Sequence, residues 1–387
     1  MPTEISDWND LDNVRTDLTE DYFLSDDLNS ASDGYSTHAS ATANGGSGWE
    51  PLSTFTGTLN GNGHDIEDYV IDRPEETEVG LFGTIGAGGF IENVTLNNVD
   101  VTGDFATSPI GRLESGAEIQ DVHVQGGDVT GTNNNTGGFV SDGAGDVSDC
   151  SADVTVTSSA AGVGGFVGQP FDGATITNCH AHGNVTQTGS AVRSAGFAGQ
   201  GDGLNVLIQE CSATGAVDSN GGRAAGFIGE LRGGATVSEC YSTGNVLNTG
   251  SRAGGLIAYL REDASVNNSY ATGETDSTSS STGGIVGDME LGTVEKCYST
   301  VVIVTDGQGL VGGSTVDSVV NNSFWDTEAS QSGTSAEGTG KTTEEMQDIE
   351  TYTNVSETSG LDEAWDMVRL SNFTGVETWT IDQETGQ

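Results

Sequence analysis

The clearest pattern along the chain is a short, glycine-rich apolar segment that returns every 25 to 31 residues. One large apolar residue occupies the same position in each copy, as in GFVG (165–168), GFIG (226–229) and GIVG (284–287). With Pro109 in the second unit, these residues are Leu81, Phe139, Phe166, Phe197, Phe227, Leu256, Ile285 and Leu310. A repeat of this length predicts a stack of similar units, each of which contacts its neighbours.

A second repeated position follows 11 to 14 residues after the first and holds a small side chain. It is filled by Val94, Val122, Cys150, Cys179, Cys211, Cys240, Ser269, Cys297 and Ser323. An isoleucine or valine lies three residues before it, and glycine often lies four residues after it. Small and β-branched residues without a helical period indicate short strands joined by tight turns. We therefore predict an all-β fold, a right-handed parallel β-helix of about nine coils with short capping helices at both ends.

The two ends differ from the repeats and predict three regions: 1–78, 79–325 and 326–387. Residues 4–18 have the apolar spacing of a helix, with Ser6 or Asp7 as its N-cap, and the Ser-, Ala- and Gly-rich stretch 26–48 is predicted to be a loop. Residues 342–351 begin with a capping-box pattern, Thr342 to Glu345. A tail containing Trp365 and Trp379 is expected to fold back on the last coil and cover its exposed strand edge.

Charge narrows the classes of function. Against 58 Asp and Glu the chain has 11 Lys and Arg, a net charge of −47. A dense carboxylate surface that needs salt for screening predicts a high-salt, haloarchaeal environment. Nucleic-acid binding is not expected because basic patches are lacking, and no apolar run is long enough for membrane insertion. The N-terminal residues also lack the pattern of a secretory signal. Either a signal has been removed, as for a secreted adhesin, or the protein leaves the cell by another route such as assembly into a virus particle, which we favour.

Two groups of residues raise the question of metal or redox chemistry. The five cysteines could form a metal site or a disulfide ladder, but their position is shared with Val and Ser, which favours small buried filler. His180 and His182 alternate along one strand, with His123 on a nearby coil, and are weak metal-ligand candidates. No cofactor is predicted, although divalent cations could bind between stacked carboxylates.

Enzymatic and ligand-binding alternatives rest on a few charged residues. Parallel β-helices can host polysaccharide lyases and hydrolases, which need converging carboxylates or an acid with a basic partner. Asp142, Asp146 and Asp172 are candidates that the sequence does not distinguish from solvating charges. Three arginines recur just before the glycine–aromatic segment in consecutive units and are expected to pair with nearby acids or to form a polyanion-binding stripe: Arg193, Arg223 and Arg252.

The repeats resemble the GLUG-motif family. Segments of the GGFVG type precede an I-x-N-C-Y-S-T-G-N-V pattern, of which ATVSECYSTGNV (235–246) is the clearest copy. The run FTGTLNGNGHDI (55–66) and the C-terminal segment 321–346 are also similar to sequences that flank such repeats. The resemblance implies a right-handed β-helix in a surface-exposed, adhesin-like protein, and it implies no single activity.

These observations favour a non-enzymatic structural or attachment solenoid on a haloarchaeal virion, such as a tail fibre, spike or capsid appendage that contacts the host surface. A secreted or cell-surface adhesin of a haloarchaeon is the first alternative, and a polysaccharide lyase or hydrolase is the second. Expected partners are a host cell-surface glycan, an S-layer protein or other virion proteins. A homo-oligomer such as a trimer is possible for a fibre, but the repeat columns do not require it.

Overall fold

The repeat region forms one stack of coils in a computed structural model that describes residues 1–159, 161–190, 193–305, 307–369 and 379–381. Each strand pairs in parallel with the equivalent strand of the next coil. Three consecutive strands, Thr175–Thr177, His180–Ala181 and Val185–Gln187, pair with Leu207–Gln209, Ser212–Ala213 and Val217–Ser219. The fold is a parallel β-solenoid of about 9 turns, which confirms the predicted architecture.

The strands form three main sheets that run along the solenoid. In the described residues, the strands of the largest sheet are Thr3–Ile5, Tyr22–Leu24, Thr58–Asn60, Asp65–Glu67, Val70–Arg73, Phe90–Gly103, Glu118–Gly131, Asp146–Ser148, Ser151–Ser158, Thr175–Thr177, His180–Ala181, Val185–Gln187, Leu207–Gln209, Ser212–Ala213, Val217–Ser219, Thr236–Ser238, Tyr241–Ser242, Val246–Asn248, Ser265–Asn267, Tyr270–Ala271, Glu274–Ser277, Thr293–Glu295, Tyr298–Ser299, Val302–Ile303, Val319–Asn321, Phe324–Asp326 and Thr339–Lys341. The second sheet consists of Leu52–Phe55, Phe82–Ile85, Gly111–Leu113, Val140–Gly143, Val167–Pro170, Ala198–Asp202, Ile228–Arg232, Ile257–Arg261, Val286–Glu290 and Val311–Ser314. The third sheet consists of Thr136–Gly137, Val163–Gly164, Arg193–Ala195, Arg223–Ala225, Arg252–Gly254 and Thr282–Gly283.

Stacked phenylalanines form the central column of the core. The rings of Phe139, Phe166, Phe197 and Phe227 follow one another at centroid distances of 4.5, 4.9 and 4.7 Å, and all four are fully buried. Leu256, Ile285 and Leu310 are equally buried in the later units. In the early units the register corrects the sequence alignment by one residue. Backbone hydrogen bonds link Phe82 to Ile110 and Ile110 to Phe139, so Phe82 continues the column, and Leu81 is buried beside it.

The cysteine column is a ladder of hydrogen-bond acceptors inside the coils. All five thiols are free and buried. The backbone N–H of Cys179 donates to Sγ of Cys211 at 3.4 Å, and the N–H of Cys211 donates to Sγ of Cys240 at the same distance. Where serine occupies the column, its Oγ takes the same role, as Ser269 does for the N–H of Cys240 at 3.1 Å. Burial raises the pKa of the Cys297 thiol to about 12.

A left-handed residue precedes every member of that column. Asn178 has φ 49°, and Glu239, at the same place in a later coil, has φ 57°. The full set is Asn93, Asp121, Asp149, Asn178, Glu210, Glu239, Asn268, Lys296 and Asn322. Asparagine and aspartate tolerate this conformation better than other side chains, whereas Glu and Lys are strained in it. This corner turns the chain between two strands of the largest sheet.

The N-terminal cap is more ordered than the sequence predicts. Its helix, α1, covers Trp8–Asn13, shorter than 4–18, and Asp7 is its N-cap, accepting the N–H groups of Asn9 and Asp10. A 3₁₀ turn, Val14–Thr16, follows it. The stretch 26–48 is not simply a loop, because it contains helix α2, Tyr35–His38, and the 3₁₀ turn Ala43–Gly46. Buried Leu28 and Ala39 hold this segment on the core, which explains its order.

The C-terminal cap packs on the last coils through aromatic side chains. Helix α3, Thr343–Met346, begins at the predicted capping box of Thr342 and Glu345, and α4, Glu350–Thr353, is a separate helix. A buried cluster joins the two helices to the end of the solenoid: Phe324, Met346, Tyr352, Leu361 and Trp365. Strands Met367–Arg369 and Trp379–Ile381 pair in parallel, and the predicted tail at 370–378 and 382–387 lies outside the described residues.

In the described part of the chain, no helix has the length and apolar character needed to cross a membrane.

Candidate functional site: the arginine seam

Six of the nine arginines of the chain lie where the third sheet meets the second. We call this surface the arginine seam, and it comprises the side chains of Arg112, Arg193, Arg223, Arg232, Arg252 and Arg261. Three of these arginines form a column along the third sheet, because strand pairing places Arg193 opposite Arg223 and Arg223 opposite Arg252. Identical charges are thus stacked in three consecutive coils, as the sequence repeat suggests.

A tight turn brings the two sheets together within each coil. In the coil that begins at Arg223, a bend at Gly226 and Phe227 joins the two strands, so that Arg223 contacts Glu230 seven residues later. A side chain at Gly226 would not fit, because a Cβ atom there would lie 2.2 Å from the carbonyl oxygen of Gly255 in the next coil. Glycine at this position therefore permits the close stacking that places each arginine against the second sheet.

Glu230 is the centre of the seam. Its side chain is completely buried and forms ion pairs with Arg193, Arg223 and Arg261, the last through Nε at 2.6 Å. Burial raises the pKa of Glu230, but the surrounding guanidinium groups outweigh burial and hold it below its ordinary value. Burial also lowers the pKa of Arg223; Glu230 opposes this effect, while the neighbouring Arg193 and Arg252 add to it. Glu230 is therefore ionised and binds three guanidinium groups at once.

Tyr259 lies beside this cluster and orders the arginines. The guanidinium carbons of Arg252 and Arg223 lie 4.2 and 4.8 Å from its ring centroid, within cation–π range. Its hydroxyl group donates a hydrogen bond to Glu290. Arg252 also forms an ion pair with Asp288 at 2.8 Å. The seam is therefore a preorganised array of guanidinium groups whose side chains are 22 to 28 % exposed between Arg193 and Arg261.

The start of the seam has the opposite charge balance. Arg112 lies between two acids, with Nε 2.9 Å from Asp142 and Nη1 3.5 Å from Glu78. Asn135 donates a second hydrogen bond to the buried Asp142 at 2.8 Å. Asp142 is therefore occupied as a structural ion-pair partner.

The other two acids proposed as catalytic candidates have separate positions. Asp172 accepts the backbone N–H of Leu204 at 2.9 Å and thereby stabilises a turn. Asp146 is exposed on strand Asp146–Ser148. The described contacts do not join Asp142, Asp146 and Asp172 into one catalytic group.

The histidine pair lies on the largest sheet, away from the arginine strands. The rings of His180 and His182 are 6.3 Å apart between centroids. Their Nδ1 atoms lie 2.9 Å from Ser212 Oγ and 3.0 Å from Thr214 Oγ1. His123 belongs to the same column as His180, but Ser151 separates them. Among the described residues, no group of three His, Cys, Asp or Glu side chains is placed to hold a metal ion.

Sequence reasoning identified Arg193, Arg223 and Arg252 but missed the residues that fix them. Glu230 is one of 58 acids and has no distinguishing local motif. For Arg232 and Arg261 a signal was available in their spacing. They are 29 residues apart, the same repeat length that separates Cys211 and Cys240, which indicates equivalent places in successive coils.

Comparison with known proteins agrees with the repeat analysis. The GLUG motif model matches residues 159–186, so the chain carries this repeat, as its resemblance indicated. Halomucin from Haloquadratum walsbyi is 36 % identical over 211 residues, which are 54 % of this chain and 2 % of halomucin. A protein of Evansella cellulosilytica described as a Gly-rich membrane protein is 38 % identical over 73 residues, 18 % of this chain and 8 % of that protein. The chain thus spans only a small part of either relative.

Among solved structures, an IgA1 protease is similar at a TM-score of 0.47 and 14 % identity, covering 76 % of this chain and 21 % of the protease. At that TM-score the similarity carries no information on activity.

Proposed function

We propose that the chain is a non-enzymatic structural and adhesive solenoid exposed on the outer surface of a halophilic cell. The observation that carries the proposal is the stack of coils, in which the residues singled out from the sequence have structural roles or lie apart. Asp142 and the three arginines form ion pairs, Asp172 stabilises a turn, and Asp146 is exposed on a strand. The match to halomucin over 54 % of the chain supports a haloarchaeal surface setting. The net charge of −47 fits the same environment.

The comparison with halomucin shifts the balance between the two non-enzymatic settings. The sequence alone favours a virion fibre or spike over a cell-surface adhesin. The relatives are a halomucin and a Gly-rich membrane protein, and these names support the cell surface. A role on a virus particle is the alternative, and the location of the protein distinguishes the two settings.

Immunogold electron microscopy of the producing culture tests the location. Antibodies against the purified chain are applied to intact cells, to permeabilised cells and to particles banded from the medium. We expect label on the outside of intact cells. Label restricted to banded particles would favour the virion, and label seen only after permeabilisation would contradict both surface settings.

A separate assay tests the absence of catalysis. The purified chain is incubated in concentrated salt with exopolysaccharide from halophilic cultures and with a panel of uronate, sulfated and neutral glycans. We expect no increase in reducing ends or in ultraviolet absorbance from unsaturated ends. Release of such ends by the wild-type chain, lost in an Asp146→Asn or Asp172→Asn variant, would establish an enzyme instead.

A further inference from the structure

We infer that the arginine seam binds an anionic polymer, with successive carboxylate or sulfate groups lying along Arg193, Arg223 and Arg252. The inference deepens the proposed surface role and rests on it, because it names the ligand class that an exposed solenoid would meet.

The first argument is the local charge count. Three guanidinium groups share the single carboxylate of Glu230, and Arg252 takes Asp288. Arg261 also pairs with Glu262, and Arg232 pairs with Asp202. In the described residues, the five arginines from Arg193 to Arg261 thus have four ion-paired carboxylates, and the stacked pair Arg193 and Arg223 shares the one carboxylate of Glu230. Around Arg112 the ratio is reversed, with two acids for one arginine. In a chain of net charge −47, an anion is favoured where cations exceed their own counter-charges.

The second argument is spacing. The three arginines are in register in consecutive coils, and parallel strands lie about 4.8 Å apart. That interval is close to the length of one sugar unit, so a chain of charged sugars running along the solenoid would place about one sugar beside each coil. A single small anion would use only part of this row.

The third argument is the availability of hydrogen-bond donors. Glu230 engages Nε of Arg193 and Nη1 of Arg223, and Asp288 engages Nε of Arg252. A guanidinium group carries five N–H donors, and its planar fork fits carboxylate and sulfate oxygens. The three side chains are 28, 23 and 27 % exposed. Each of the three guanidinium groups is therefore anchored by an acid at one nitrogen, while part of the side chain remains exposed.

High salt does not remove this attraction. At about 1 M salt the Debye length is about 3 Å, so the acidic surface elsewhere repels a ligand only at contact distance. Direct guanidinium–anion hydrogen bonds act within that distance. Anchoring by Glu230 and Tyr259 also lowers the entropy lost when the arginines bind.

Binding in molar KCl to immobilised dextran sulfate and polygalacturonate, with neutral dextran as reference, tests the inference. The full chain is compared with an Arg193→Gln/Arg223→Gln double variant and with Lys296→Gln, which removes one positive charge outside the seam. We expect binding to at least one charged polymer and none to dextran. The double variant should weaken binding by at least about tenfold, since it removes charge-assisted hydrogen bonds from two neighbouring coils. Lys296→Gln should bind as the wild type does.

A further variant keeps the test valid if the double variant is destabilised. Arg252→Gln leaves all contacts of Glu230 in place and should also weaken binding severalfold, with an unchanged circular dichroism spectrum. Equal affinity of Arg252→Gln and Lys296→Gln would overturn the inference, as would absence of wild-type binding to both charged polymers. Preference for one polymer over the other identifies sulfate or carboxylate as the ligand group. None of these outcomes alters the immunogold result, so failure here is distinguishable from failure of the surface role.

Discussion

At the residue scale, Glu230 shows how a buried charge is tolerated in this fold. Burial removes the hydration of its carboxylate, and three guanidinium groups on three different strands replace that hydration with ion pairs. A buried ion-pair cluster adds little to the free energy of unfolding compared with an apolar site of similar size. Removal of one partner alone, however, lowers that free energy strongly. The arginines would then be crowded together without their counter-charge.

Replacing Glu230 by Gln is therefore expected to lower the free energy of unfolding by about 3–5 kcal/mol. Chemical denaturation in high salt measures the change, with Glu262→Gln as control, because Glu262 is 47 % exposed and pairs with Nη1 of Arg261. The control should change stability by less than about 0.5 kcal/mol. A loss of similar size in both variants would show that Glu230 has no special role.

The same variant has a pH signature. The pKa of Glu230 in the folded chain lies below its ordinary value of 4.5, so its contribution is complete above that pH. The contribution disappears as the pH falls through the lowered pKa and Glu230 becomes protonated in the fold. The stability difference between wild type and Glu230→Gln should thus be constant near neutrality and narrow in acid.

The left-handed corner residues allow a stabilising substitution. Glu239 adopts φ 57°, where the equivalent positions in other coils hold Asn178 or Asn268. Glu239→Asn should raise the free energy of unfolding by about 0.5–1 kcal/mol, because Asn enters the left-handed region at lower cost. Glu118→Asn removes the same charge from an exposed strand position and should bring no such gain in parallel denaturation experiments. Equal effects would assign the change to charge alone.

At the scale of elements, the sequence predicts the strands well and their exact alignment less well. Phe139 through Phe227 could be aligned because a large side chain recurs at nearly constant spacing between glycines. At Leu81 and Phe82 two apolar neighbours are both buried, so the repeat spacing cannot choose between them, and only the hydrogen-bond register does. The corner conformation was missed because Glu210, Glu239 and Lys296 conceal the asparagine preference of that position. The acid that organises the seam could not be chosen because two of its three partners, Arg193 and Arg261, come from neighbouring coils.

The terminal elements protect the last strand edges. Trp365 is 3 % exposed, packs against Tyr352 and Phe324, and donates from Nε1 to the carbonyl oxygen of Asn322 at 3.0 Å. This bond ties the cap directly to the final coil.

Trp365→Ala should destabilise the cap by about 3–5 kcal/mol and expose the final strand edge. We expect an early unfolding step in hydrogen exchange confined to the last coils, and concentration-dependent association in light scattering. Glu363→Gln, at a position whose side chain is 73 % exposed, is the control. Uniform exchange along the whole chain would contradict a role as a local cap.

At the scale of the whole molecule, the narrow core and the acidic surface make opposite demands. Each coil contributes mainly small and β-branched apolar side chains to the core, while the exposed carboxylates of a chain with net charge −47 repel one another across the surface. We therefore expect the small core to prevail only where salt screens these charges.

The chain should accordingly unfold when salt is reduced from molar to about 10 mM, where the Debye length grows to about 30 Å. Far-ultraviolet circular dichroism and melting temperature across a KCl series measure this. A melting temperature independent of salt would show that the carboxylates do not limit stability. Neutral osmolytes at equal water activity are the control, since they strengthen burial without screening charge.

Parallel pairing between successive coils also determines how the molecule responds to force. The hydrogen bonds that join neighbouring coils point along the solenoid. A force that pulls the two termini apart therefore acts along these bonds and should detach the coils one after another. Each coil released would lengthen the tether by about 100 Å, given about 3.4 Å per extended residue and the 29 residues between Cys211 and Cys240. A surface protein built this way would unfold in small, repeated steps under shear flow. The buried aromatic cluster of the C-terminal cap would set the force at which unfolding from that end begins.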